Sequence, residues 1–330
     1  MRIVFLSLAL CFANTALADD APAWAGSNVS LSQTVTTRSL DRSADLTYNP
    51  YTATAVTVGP RWKLHKKVRL SASLGLRGEW TRSDGDVRRL WWKSSSLRGD
   101  FPEVLSIPGA KIGVSPYVSL NLSPGTARVA GEVCGSGGAG VGLSRSFKPR
   151  DDLSVSLGAD GYASFPLNGA QYGGVSQVLL CPAGATDCSD TAIFSASSNV
   201  SWEVGGSLSG SLTYAKKLTF SAAGGISQSA LYPLGEDPRI SFVAPNPAVA
   251  RYGTFAQVAL GYAINPMWRA GLTAQSAHGQ LGANGERPTP LFNRYARLVG
   301  SLRMTLGSPA KKKKNISVPV PSATEDHEEK

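Results

Sequence analysis

Long runs in which every second residue is apolar constrain this chain more than any other feature. Side chains alternate between the two faces of a strand, so such runs specify sheet with one greasy and one polar face. Val68, Leu70, Ala72, Leu74, Leu76, Gly78 and Trp80 share one face, opposite Arg69, Ser71, Ser73, Gly75, Arg77 and Glu79. Ile112, Val114, Pro116, Val118, Leu120 and Leu122 oppose Lys111, Gly113, Ser115, Tyr117, Ser119 and Asn121. The pattern recurs in Leu153 to Phe165, with Asp160 and Tyr162 on the polar side, and in Val200 to Tyr214, with Glu203 on the polar side. Several of these runs reach about 12 residues, beyond the five or six of ordinary soluble sheets and suited to a tilted bilayer crossing.

Export is written at the N-terminus. Arg2 precedes an apolar run, Ile3 to Ala13, and Ala16-Leu17-Ala18 precedes Asp19-Asp20, which predicts a signal peptide over 1–18 cut between Ala18 and Asp19. Cys11 falls within that peptide. Removing 18 of the 330 residues leaves 312, and because Arg2 is the only charged residue lost, the net charge falls from +10 to +9. No remaining apolar run approaches the roughly 18 residues of a membrane helix. No Pro- or Ser-rich linker interrupts the pattern between Gly26 and Leu306, so 19–306 is expected to be one all-β unit. The remainder, 307–330, holds Lys311 to Lys314, Pro319, Pro321 and the acidic Glu325-Asp326-His327-Glu328-Glu329, and reads as a disordered charged tail.

Connection lengths alternate. Long links are expected at Ser39 to Pro50, Arg82 to Ala110, Pro166 to Ser198, Leu231 to Arg251 and His278 to Leu291. Short ones fall at Lys63 to Lys67, Ser123 to Thr126, Lys148 to Asp152, Ala215 to Lys217 and Asn265 to Met267. Ala127 to Cys134 and Val141 to Phe147 read as a weak hairpin around a tip at Gly135 to Gly140, bringing the count to about 12 strands. An even number puts both chain ends on the short-turn side. Aromatics in the apolar phase form two rims: Trp62, Phe147, Tyr214, Phe220, Tyr262 and Trp268 beside short turns, and Trp80, Phe165, Trp202, Tyr252 and Phe292 beside long loops. A soluble sandwich would gather them mid-strand instead.

Alternation and aromatic girdles together resemble the porin-like outer-membrane β-barrels of Gram-negative bacteria, over nearly the whole chain and with no particular member indicated. The resemblance implies an all-β, antiparallel, up-and-down transmembrane barrel in the bacterial outer membrane, with both termini periplasmic and lipid and small hydrophilic solutes as its partners. The last strand departs from that family by ending Leu302-Arg303-Met304-Thr305-Leu306 rather than on an aromatic residue.

Charged residues in the polar phase are the candidate pore lining: Arg77, Arg128, Arg269, Arg297, Glu79, Glu132, Asp160 and Glu203, with Arg69, Lys111 and Arg303 alongside. The cationic excess points to a lumen mildly favourable to anions; cross-strand Arg–Glu pairs that merely fill the interior are the alternative. Arg61, Lys63, His65, Lys66 and Lys67 are assigned to a short turn facing water and headgroups. Cys181 and Cys188 share one long loop and are the candidate disulfide, which leaves Cys134 over; pairing of Cys134 with either loop cysteine is the alternative. Gly135 to Gly140 matches G-x-G-x-x-G, but strand-like residues follow it where a helix would have to begin, so no dinucleotide and no other cofactor is expected. No metal-ligand spacing is present, and dispersed charge on an exported chain argues against nucleic acid.

Ser276 with His278 is the one arrangement suggestive of hydrolysis, and no Gly-x-Ser-x-Gly elbow accompanies it, so no enzyme is expected. The leading expectation is a narrow passive channel. The rival is a non-conducting surface barrel that binds partners through long loops, suggested by Leu90-Trp91-Trp92 and the cysteine-bearing loop.

Overall fold

The computed structural model describes residues 22–36, 52–81, 90–122, 133–168, 176–179, 192–195, 199–233, 249–279, 288–293 and 295–307. Its strands in chain order are β1 (Asn28–Thr36), β2 (Thr52–Gly59), β3 (Arg61–His65), β4 (Val68–Glu79), β5 (Leu90–Trp92), β6 (Ser95–Asp100), β7 (Leu105–Ile107), β8 (Ile112–Leu122) and β9 (Val133–Arg150). They continue with β10 (Leu153–Asn168), β11 (Ser176–Leu179), β12 (Ala192–Ser195), β13 (Val200–Tyr214), β14 (Leu218–Leu231), β15 (Ala250–Ala263), β16 (Trp268–Gly279) and β17 (Arg297–Thr305). No described residue is helical.

Each long strand pairs antiparallel with its sequence neighbour, and β1 also pairs with β17, so the sheet closes on itself. Short strands merge into common staves. Pro60 separates β2 from β3, both of which pair with β4. Strands β5 and β6 pair with β4, while β6 and β7 pair with β8, so these three form one interrupted stave. The circuit therefore has 12 staves, and β11 with β12 forms a separate two-stranded sheet. With strands about 4.8 Å apart and tilted about 40°, 12 staves give a backbone diameter on the order of 24 Å.

The count matches expectation, but two assignments within it change. Arg82 to Ala110 is not simply a loop, because it contains the stave of β5, β6 and β7. Pro116 accounts for the break in that stave: it has no N–H to donate, and it lies opposite the gap where β6 ends against Tyr117 and β7 begins against Val114. The gap is bridged by Phe101 N–H to the Pro116 carbonyl (3.0 Å) and Glu103 N–H to Ser115 Oγ (3.0 Å). Conversely, the expected hairpin of Ala127 to Cys134 with Val141 to Phe147 does not form. Val133–Arg150 is a single strand whose glycines pair with β8 on one side and β10 on the other. One stave gained and one lost leaves parity intact. Leu122 and Val133, the described residues that flank the link expected to be short at Ser123 to Thr126, lie at the long-loop rim, and the short-turn rim carries the turn at Pro108 to Lys111.

Polarity is inverted relative to a soluble fold. Among the described residues the only buried apolar side chains are Ala53, Ala55, Tyr117 and Leu231, while Leu208 is 71% and Ile226 is 70% exposed on the outer face. Trp80, Phe165, Trp202, Tyr252 and Phe292 at one rim, and Phe147, Tyr214, Phe220, Tyr262 and Trp268 at the other, are exposed as well. A surface this apolar, banded by aromatics, is stable only against lipid. Both described chain ends meet at the short-turn rim, where Gly26 N–H donates to the Leu306 carbonyl and Leu306 N–H to that of Ser27.

Candidate functional site: the barrel interior

The inner wall is built from the polar phase of every stave, and strand register fixes which residues meet there. Tyr117 on β8, Gly140 on β9, Tyr162 on β10 and Gly205 on β13 lie in one cross-strand row. The two tyrosine rings lie flat along the wall over the two glycines. A Cβ added at Gly140 would stand 2.4 Å from the Tyr117 ring, and one at Gly205 would stand 2.6 Å from the Tyr162 ring. This places Gly135 to Gly140 in mid-strand rather than at a loop tip.

Lying flat carries each phenol to the next stave or beyond. Tyr117 Oη donates to Asp160 Oδ1 at 2.9 Å, and the Arg98 guanidinium covers the other ring face at 3.6 Å from its centroid. Tyr162 Oη donates to Glu203 Oε1 at 2.7 Å while Ser229 Oγ donates to Glu203 Oε2 at 2.9 Å. Both carboxylates are thus held by neutral hydroxyls. Hydroxyls coat the wall elsewhere, as in Ser146 with Ser156 (2.7 Å) and Thr213 with Thr219 (3.2 Å).

Cations occupy the other half. Arg269, Arg297 and Arg303 on β16 and β17, Arg61 and Lys63 on β3, Arg69 and Arg77 on β4, and Arg98 on β6 fall in the inward phase of neighbouring staves. Lys93, between β5 and β6, joins them by reaching Thr57 Oγ1 at 3.3 Å. Arg98 is paired with Asp100 at 2.7 Å. Glu79 is only 6% exposed and accepts a hydrogen bond from Thr81 Oγ1 (3.0 Å) at the long-loop end. Asp160 and Glu203 stand on the opposite arc, while Asp100 and Glu79 share the arc of the cations.

Of the residues expected from sequence, Arg77, Arg269, Arg297, Glu79, Asp160 and Glu203 share the inward phase. Arg128, Glu132, Cys181, Cys188, Ala18 and Asp19 lie outside the described residues, and Cys134 is exposed. Lys111 is in a turn with positive φ rather than on a strand. Arg61 and Lys63, assigned to a headgroup-facing turn, lie inside β3. Lys93, Arg98 and Asp100 were hidden in the supposed loop, and Phe255, inward on β15 over Gly225, was not singled out. Leu90-Trp91-Trp92, offered as a loop patch, is strand β5, with Trp91 facing inward beside Arg77.

Ser276 and His278 do not form a nucleophile–base pair. Ser276 is 2% exposed and its Oγ donates to Asn293 Oδ1 at 3.0 Å. His278 Nδ1 lies 2.6 Å from the Gly279 carbonyl oxygen and 3.3 Å from Thr254 Oγ1, with the ring stacked on Tyr295. These contacts clasp the stretch before β17 to the barrel wall.

Fold and surface together define the class: a membrane-spanning antiparallel β-barrel of porin-like architecture with a polar, charge-lined interior. No family model matches the chain, and no curated protein matches it. Among solved structures it is similar to an outer membrane channel from Pseudomonas putida F1 (TM-score 0.45, 10% identity, covering 87% of this chain and 98% of that one). It is also similar to the KdgM porin (TM-score 0.38, 9% identity, 84% and 98%) and to LpxR from Salmonella typhimurium (TM-score 0.40, 9% identity, 84% and 99%). These likenesses are of the barrel scaffold.

Proposed function

We propose that this chain is a bacterial outer-membrane channel that passes small hydrophilic solutes passively and favours anions. The observation that carries this reading is the inward row of cations on neighbouring staves of a closed 12-stave barrel. In a narrow lumen with low-dielectric walls, such an arc concentrates anions and repels cations. Asp160 and Glu203 on the far arc set a field across the passage that orients dipolar solutes. In this reading Arg77, Arg128 and Arg297 contribute to selectivity, the short turns and both termini face the periplasm, and residues 1–18 are removed at Ala18. The interior supplies binding and orientation rather than a reactive group, so the chain acts without catalysis and without a cofactor.

Planar-bilayer recording tests the proposal. Refolded protein is expected to give discrete conductance steps, with a reversal potential in a KCl gradient displaced toward that of chloride. Absence of single-channel events would overturn the channel reading, and a reversal potential on the potassium side would overturn the anion preference.

A further inference from the structure

The short-turn mouth of the interior holds charges that strand pairing by itself disfavours. Arg269 and Arg303 are direct cross-strand partners, and so are Lys63 and Arg69. Like charges facing each other on one sheet face repel. Arg61 sits in the same inward phase, within electrostatic range of Arg69 and Arg303. The nearest acid, Asp100, is cross-strand partner to Arg69 but is already engaged by Arg98 at 2.7 Å. None of these five cations has an ion-pair partner among the described residues.

We propose that this mouth is a binding site for a multivalent oxyanion, a ligand presenting clustered carboxylates or a phosphate group. Four of the five cations are arginines, whose planar forks match carboxylate and phosphate geometry. The positive charge spans several staves, so one ligand charge cannot neutralise it and two or more bridge it. The site deepens the channel reading, placing the strongest anion contact at one end of the passage. Two sources supply the same chemistry. One is a free polycarboxylate or phosphate solute. The other is the chain's own acidic run Glu325 to Glu329, which follows Gly307 at this rim by 18 residues, a separation that extended chain spans up to about 60 Å.

Calorimetric titration of the detergent-solubilised full chain with citrate and with inorganic phosphate at about 0.1 M salt tests the site without requiring conduction, so a failed conductance experiment leaves it standing and the reverse also holds. Citrate is expected to bind, to bind about tenfold more weakly to an R269Q/R303Q variant, and to lose affinity at about 1 M salt, where the screening length falls to about 3 Å. A K63Q/R69Q variant gives a second measurement should the first not refold. A variant with E325Q, D326N, E328Q and E329Q separates the sources: citrate affinity about tenfold above wild type identifies the acidic run as the resident ligand, and unchanged affinity identifies a free solute. Absence of citrate and phosphate binding in both the wild type and this variant, or binding indifferent to the arginine and lysine substitutions, would overturn the site.

Discussion

At the scale of single residues, the interior depends on what glycine lacks. Tyr117 and Tyr162 lie flat only because Gly140 and Gly205 carry no Cβ, and lying flat is what brings each hydroxyl to its carboxylate. Gly140→Ala is expected to lift the Tyr117 ring, break its bond to Asp160 and cost about 1–3 kcal/mol through overpacking, measurable as a lower urea midpoint. Tyr162→Phe keeps the ring and removes one donor to Glu203, for about 0.5–1.5 kcal/mol. The faces themselves are testable at adjacent positions. Leu208→Arg, on the exposed outer face, is expected to cost about 2–4 kcal/mol in bilayers, whereas Ser209→Arg, pointing inward, is expected to be tolerated; equal costs would refute the assigned polarity. The inward phase of both tyrosines was legible from alternation. Their partners were not, because Asp160 and Glu203 lie 43 and 41 residues further along the chain and only register brings them near.

At the scale of elements, the stave of β5, β6 and β7 carries the most consequence. Its three pieces are each short and are separated by Lys93-Ser94 and by Phe101 to Val104, so no uninterrupted alternation announces a strand. Strand β9 misleads in the opposite sense: its glycines imitate a loop tip, although paired strands on both sides make glycine tolerable there. Deleting residues 90–107 is expected to leave β4 without a path to β8 and to abolish the heat-modifiable gel shift of a folded barrel. Deleting only 82–89 is expected to preserve it. Retention of the shift after the larger deletion would contradict the strand order. The short turn at Asn265 to Met267, by contrast, was legible: Asn265 Oδ1 accepts from the N–H groups of Met267 and Trp268 at 2.9 and 2.8 Å, a local contact that needs no distant partner.

At the scale of the whole molecule, closure turns two sheet faces into an inside and an outside. The register of β1 against β17 commits Ser30, Ser32 and Thr34 to the interior with Arg303, Ser301 and Val299. Neutralising Arg77 and Arg297 together is expected to reduce chloride preference in reversal-potential measurements while leaving the gel shift intact, because side-chain substitution leaves the backbone ladders in place, including the rung of Arg297 with Thr36 in the closing pair. The amino-acid sequence by itself determined the strand class, the apolar and polar phases and the aromatic rims, since each follows from the two-residue period of a strand; the even stave count agreed because one stave gained offset one lost. Only the tertiary structure decided which broken segments join into one stave, which carboxylates meet which tyrosines and how charge divides around the interior. Those properties depend on register between strands far apart in the chain, and a period of two is the same whichever neighbour a strand finally meets.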